Sequence, residues 1–134
     1  MDTTQNIGLA FYQNLGKLFY AIAASDKVVR KSEYNSLRKI VKSKWLQVDD
    51  IVDEFGADAA FQIEIVFDWM DYETPSAEPC FQEFESFYTD HKSHFTKSIK
   101  GLIWETANSI ADAFSGKNKS ELMMLGRLKL ILEN

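Results

Sequence analysis

The chain has 134 residues, 46% hydrophobic and 13% aromatic, enough for one packed core in a single domain spanning residues 1–134. Twenty acidic against 15 basic residues give a net charge of −5, which weighs against a general nucleic-acid binder or a binder of anionic membranes, both of which want a basic face. Two prolines and six glycines speak against low-complexity disorder, and a single cysteine, Cys80, rules out an intramolecular disulfide and suits a reducing compartment.

The opening MDTTQNIGL lacks the basic start and long apolar run of a signal peptide. No stretch approaches the roughly 20 apolar residues of a membrane span, so the chain reads as cytoplasmic. Phe11, Leu15, Leu18 and Ile22 recur at helical spacing, widened by Phe19 and Ala23, and predict an amphipathic helix from about Thr4 to Ala24. A corner follows. Asp26 ends the apolar run, Lys27-Val28-Val29 is too short to pair as a strand, and one valine is expected to tuck between the helices. Glu33 then opens a second helix with Leu37, Ile40, Val41 and Trp45 as its stripe. The Lys and Arg residues from Arg30 to Lys44 interleave with that stripe and read as its solvated face.

Val48, Ile51, Val52 and Phe55 predict a short third helix closed by Gly56, with Asp49 and Asp50 in its first turn, where the helix dipole favours anions. From Phe61 to Trp69 the apolar residues alternate as in a strand, yet they also fill two helical faces, Phe61–Ile65–Trp69 and Ile63–Phe67–Met70. Helix is the better reading, because a lone strand would lack a ladder partner. Apolar on most sides, this helix is expected to be central and deeply buried. Thr74 to Pro79 holds both prolines and reads as a loop. Cys80, Phe81, Phe84, Phe87 and Tyr88 mark a helix running to about His94. Phe95, Ile99, Leu102, Ile103, Ala107 and Ile110 mark another, ending near Phe114. After the loop from Ser115 to Lys119, with Ser120 as a reasonable cap or Lys119 as the boundary, Leu122, Leu125, Leu128 and Leu132 form the last helix.

The last two helices echo the first two at a constant offset of 88 residues. Phe11 maps to Ile99, Leu15 to Ile103, Ile22-Ala23 to Ile110-Ala111, Glu33 to Glu121, Leu37 to Leu125 and Ile40 to Leu128. Asp26 maps onto Phe114, although Asp112 lies two residues earlier. Packed about a pseudo-two-fold axis, Asp26, Glu33, Asp112 and Glu121 could face one another. Their repulsion would be relieved by a divalent cation or by basic neighbours.

The first corner resembles the TerB-like tellurite-resistance family, which also covers the amino-terminal domain of some membrane-anchored co-chaperones. The resemblance is carried by Ala21-Ile22-Ala23-Ala24-Ser25-Asp26-Lys27-Val28-Val29 followed by Glu33 and Leu37. Aspartate, valine and glutamate match at the family's spacing, with Lys27 where the family has glycine. It implies an all-α bundle of about seven helices in two pseudo-symmetric halves. It also implies a non-enzymatic role in stress responses or tellurite resistance, a protein partner, and a divalent metal ion at Asp26 and Glu33, extended to Glu121 and Asp112.

Other chemistry finds less footing. His91 and His94 with Asp90 could hold a transition metal but read as a solvated pair. No Glu-x-x-His pair supports a di-iron site, Phe55 and Ala57 break EF-hand spacing from Asp53, and no glycine-rich phosphate loop occurs. The alternatives to the metal-linked domain are a plain protein-interaction scaffold without metal and, third, a small thiol-dependent or hydrolytic enzyme. The third needs Cys80 exposed in a cleft with His91 or His94 in reach.

Overall fold

The structure is a computed structural model and describes residues 3–48, 58–113 and 118–134. Every regular element among them is helical: α1 (Thr3–Ala23), α2 (Lys31–Ser43), α3 (Gln62–Glu73), α4 (Ala77–Asp90), α5 (Lys97–Asp112) and α6 (Lys119–Leu132). Single 3₁₀ turns lie at Ala24–Asp26, Trp45–Gln47, Ala59–Phe61 and Lys92–His94. The all-α expectation holds. The short helix expected on Val48 to Phe55 lies, beyond Val48, outside the described residues. Among those described, no helix is long and apolar enough to cross a membrane.

The centre of the bundle is α1, packed against α3, α4, α5 and α6. Leu15, Leu18, Phe19, Ala21, Ile22 and Ala23 are all fully buried, and together they leave this part of the helix no solvated side. Gly16 permits its closest approach. A Cβ there would stand 2.8 Å from the Ile63 carbonyl oxygen and 2.8 Å from Val66 Cβ, so α1 and α3 meet nearly backbone to backbone.

That central position for α1 corrects the expectation for α3. Helix α3 buries Ile63, Phe67 and Met70 and leaves its other apolar face outside, with Ile65 and Trp69 more than half exposed. Residues two apart on a helix point to nearly opposite sides. Once α1 occupies the centre, only one of the two faces can be covered.

The ends of the other helices follow local chemistry. Helix α4 stops at Asp90, short of the expected His94, because His91 closes it and Lys92–His94 turns as 3₁₀. Thr96 then caps α5, its Oγ1 accepting the Ile99 N–H at 3.2 Å. The cap of α6 is Asn118, and Lys119 is its first residue. Helices α2 and α6 start at Lys31 and Lys119, 88 positions apart. Across the core, the Trp45 indole N–H donates to Thr106 Oγ1 of α5 at 2.9 Å, and that hydroxyl donates to the Leu102 carbonyl at 2.7 Å. The bond fixes the 3₁₀ turn after α2 to α5 and satisfies a polar group on a fully buried ring.

Candidate functional site

The corner after α1 is built by a 3₁₀ turn, one left-handed residue and a short extended stretch. Lys27 takes φ 70° and ψ 8°, a left-handed conformation that glycine adopts without a Cβ penalty. Its N–H donates to the Ala24 carbonyl at 2.8 Å. Val29 packs against the core, whereas Val28 is exposed. Asp26 Oδ1 accepts the Val28 N–H at 3.1 Å. Its Oδ2 accepts from Arg30 Nη1 at 2.9 Å and from Asn118 Nδ2 at 2.7 Å. One aspartate therefore ties together the residues that precede α2 and α6.

Both of those helices place a glutamate at the third position. Glu33 Oε1 accepts the Arg30 N–H at 2.7 Å, and Glu121 Oε1 accepts the Asn118 N–H at 3.0 Å. In α6 the box is complete, since Asn118 Oδ1 accepts the Glu121 N–H at 2.9 Å. In α2 it is half made, because a guanidinium offers no acceptor atom to the Glu33 N–H. Each carboxylate also lies in a first turn, where the helix dipole favours it.

The two glutamates are each 1% exposed and meet side chain to side chain. Burial first, then the hydrogen bond and the repulsion from Glu121, push the Glu33 carboxyl up to about 8. The Arg30 N–H and the Arg30 guanidinium, 3.9 Å away, oppose that rise without cancelling it. The rise favours keeping one proton on the pair toward neutral pH. Glu121 Oε2 is buried and accepts from no N–H or conventional hydroxyl, and the Glu33 O–H is the donor able to satisfy it. One proton joins two helix starts that could not both carry a buried charge.

Of the four carboxylates expected at a metal site, the structure brings Asp26, Glu33 and Glu121 together. Asp112 is exposed on the last turn of α5 and is not one of the buried pair. Among the described residues no group of three or more His, Cys, Asp and Glu side chains is arranged to hold a metal ion. The donor set explains why. Asp26 is engaged by three donors, and the positive charge near the pair belongs to Arg30. A divalent cation at this arrangement would have to compete with the Arg30 guanidinium.

Cys80 is buried, its sulfur 4.0 Å from that of Met70, and burial raises its thiol pKa. That is the opposite of an activated nucleophile. The His91 ring stacks on Phe87 with centroids 4.3 Å apart, and its Nδ1 lies 3.1 Å from the Phe87 carbonyl oxygen. His94 is exposed. Beside the corner, Tyr20, Ser25, Lys27, Asp71, Thr74 and Met124 line a cleft of about 430 Å³. No histidine or cysteine lines it, and its Ser25 hydroxyl is spent on the Ile22 carbonyl at 2.8 Å.

Sequence reasoning found the two glutamates and missed the residues that arrange them. Asn118-x-x-Glu121 is a capping-box pattern and could have been read directly. Arg30 carries no such signal, since arginine is not a cap by side chain. No family model matches the chain, and no curated protein or solved structure is significantly similar to it.

Proposed function

We propose that this chain is a non-enzymatic, TerB-like helical domain that works by binding a protein partner, with its acidic corner serving as a structural clasp in place of a metal site. The observation that carries the binding role is on α3. Ile65, Trp69 and Tyr72 are 52%, 56% and 83% exposed at spacings of four and three, so they form one stripe on the solvent side of a helix. Large aromatic side chains aligned this way are what a partner's pocket accepts.

The TerB-like reading is supported by three features. Position 27 has the left-handed backbone that the family's glycine would favour. The first residues of α2 and α6 stand at the same offset as the sequence repeat. Their glutamates Glu33 and Glu121, equivalent in that repeat, face each other. Two pseudo-symmetric halves and about seven helices belong to this proposal. So does a stress-linked assembly, which rests on the resemblance alone. A second reading, divalent metal at the corner, has one feature in its favour: the buried Glu121 Oε2 that no N–H reaches.

Two measurements separate these readings. A photo-crosslinking residue at position 65, 69 or 72 of the full chain in its native cell should give a discrete protein adduct, absent when the probe replaces exposed Ser98. Adducts from neither place, or equally from both, would refute the binding role. Calcium, magnesium, zinc and manganese should leave the thermal unfolding midpoint unchanged. A rise with any of them that Asp26→Asn abolishes would establish the metal reading instead.

A further inference from the structure

The last helix has a second side that none of the other described helices covers. Helix α6 turns Met124, Leu125, Leu128 and Leu132 into the core. On the other side Leu122, Met123 and Leu130 are 54%, 65% and 66% exposed, with Gly126 between them. Among the described residues nothing lies within 4 Å of where a Gly126 Cβ would be. The glycine therefore serves no close contact with the described residues, although it weakens an exposed helix interior by about 1 kcal/mol relative to alanine.

The order of residues along this side is symmetric about the glycine. Leu122 and Leu130 stand four positions before and after it, and the exposed Lys119 and Glu133 stand seven before and after. Four and seven residues are close to one and two helical turns, so all five positions share one side. A two-fold axis through Gly126 would lay a second α6 antiparallel on the first. Leu122 of each copy would then oppose Leu130 of the other, and Lys119 would oppose Glu133 twice. With no side chain at the crossing point, the two backbones can approach closely. Charge fixes the orientation: a parallel pairing would set Lys119 against Lys119 and Glu133 against Glu133.

We infer that the exposed side of α6 is a self-association surface, through which two copies of this chain pack their last helices antiparallel about Gly126. Such a contact is isologous and closed, so it yields a dimer and not a fibre. Its area is that of one helix side, which places it among weak, concentration-dependent interfaces. It uses a different helix from the Ile65–Trp69–Tyr72 stripe and stands whether or not that stripe binds a partner.

The test is sedimentation equilibrium of the full chain from about 1 μM to about 1 mM, the range in which an interface of this class associates. The wild-type chain should pass from monomer to dimer. Lys119→Glu and Glu133→Lys should each weaken the dimer by about tenfold, since two pairs become repulsive, and the double variant should restore it. Gly126→Cys should form a dimer-linking disulfide under mild oxidation, the native Cys80 being buried. Unchanged thermal midpoints in these surface variants would show that folding is not what they alter. A monomer at every concentration, or a dimer indifferent to both single charge reversals and not restored by the double variant, would overturn the inference.

Discussion

Replacing Glu33 by glutamine should remove a pH dependence of stability that the wild-type chain carries. In the unfolded chain the Glu33 carboxyl titrates near its ordinary 4.5, while in the folded chain it is raised to about 8. Below the ordinary value both states hold the proton, and the folded state keeps its full stability. As pH rises from about 4.5 to about 8, the unfolded state releases a proton that the folded state retains. Stability then falls by up to about 1.4 kcal/mol per pH unit. Above about 8 both are ionised and the loss is complete. Allowing for relaxation around the pair, the total is on the order of 3 kcal/mol.

The Glu33→Gln side chain keeps the shape of the site without the titration. Its carbonyl oxygen can accept the Arg30 N–H that Glu33 Oε1 accepts now, and its amide can donate to Glu121 Oε2 as the carboxyl proton does. Urea unfolding at several pH values across about 5 to 9 measures the effect for both chains. Glu64 and Asp71 are raised in the same direction by burial, so the difference between the two curves is what isolates Glu33. Wild-type stability should fall with pH, and the difference from Glu33→Gln should vanish toward the acid end and favour the variant at the alkaline end. Parallel curves for the two chains would refute a proton shared between Glu33 and Glu121.

Three further substitutions test the packing of the bundle and the backbone of the corner. Gly16→Ala places a Cβ against the Ile63 carbonyl oxygen and Val66; overpacking should outweigh the gain in helix propensity and lower stability by about 1–2 kcal/mol in the same unfolding assay. Thr106→Val keeps the volume but removes the acceptor of the Trp45 indole N–H, for an expected loss of about 1–3 kcal/mol, with a changed Trp45 environment in near-ultraviolet circular dichroism. Lys27→Gly relieves a left-handed conformation at an exposed side chain and should raise stability by about 0.5–1 kcal/mol.

The helices were legible because each hides a stripe of constant period. Leu15, Leu18 and Ile22 in α1 and Leu125, Leu128 and Leu132 in α6 announce themselves without reference to anything else. What could not be read was competition among helices for the centre. Phe61 to Trp69 reads as apolar on most sides and Phe11 to Ala24 as a widened stripe, and periodicity alone ranks the first as the more central. Gly16 carries the deciding fact, a backbone contact with Ile63, but an isolated helical glycine reads as a weak point until its neighbour is known. The acidic corner was legible as a place and not as chemistry. Spacing brought Glu33 and Glu121 into register, while the raised pKa of Glu33 depends on burial, on Glu121 and on Arg30, which are properties of the packed state.

The unequal corners take on a different meaning once these bonds are known. In the sequence Asp26 has no counterpart at Phe114, as though one copy had lost a carboxylate. In the fold one aspartate is sufficient, because Asp26 accepts from Arg30 of its own corner and from Asn118 of the other. The caps are unequal in a matching way. Asn118 supplies its own acceptor to Glu121, whereas Arg30 has none to offer α2 and supplies a cation instead. Apolar residues at 33 and 121 would be easier to bury, yet they would leave the Arg30 and Asn118 N–H groups without the acceptors they now use. Two ionised glutamates would satisfy both N–H groups and repel each other without water to screen them. A proton held between the two carboxyls meets both demands, and Asp26, bonded to Arg30 and Asn118, ties the same two helix starts together.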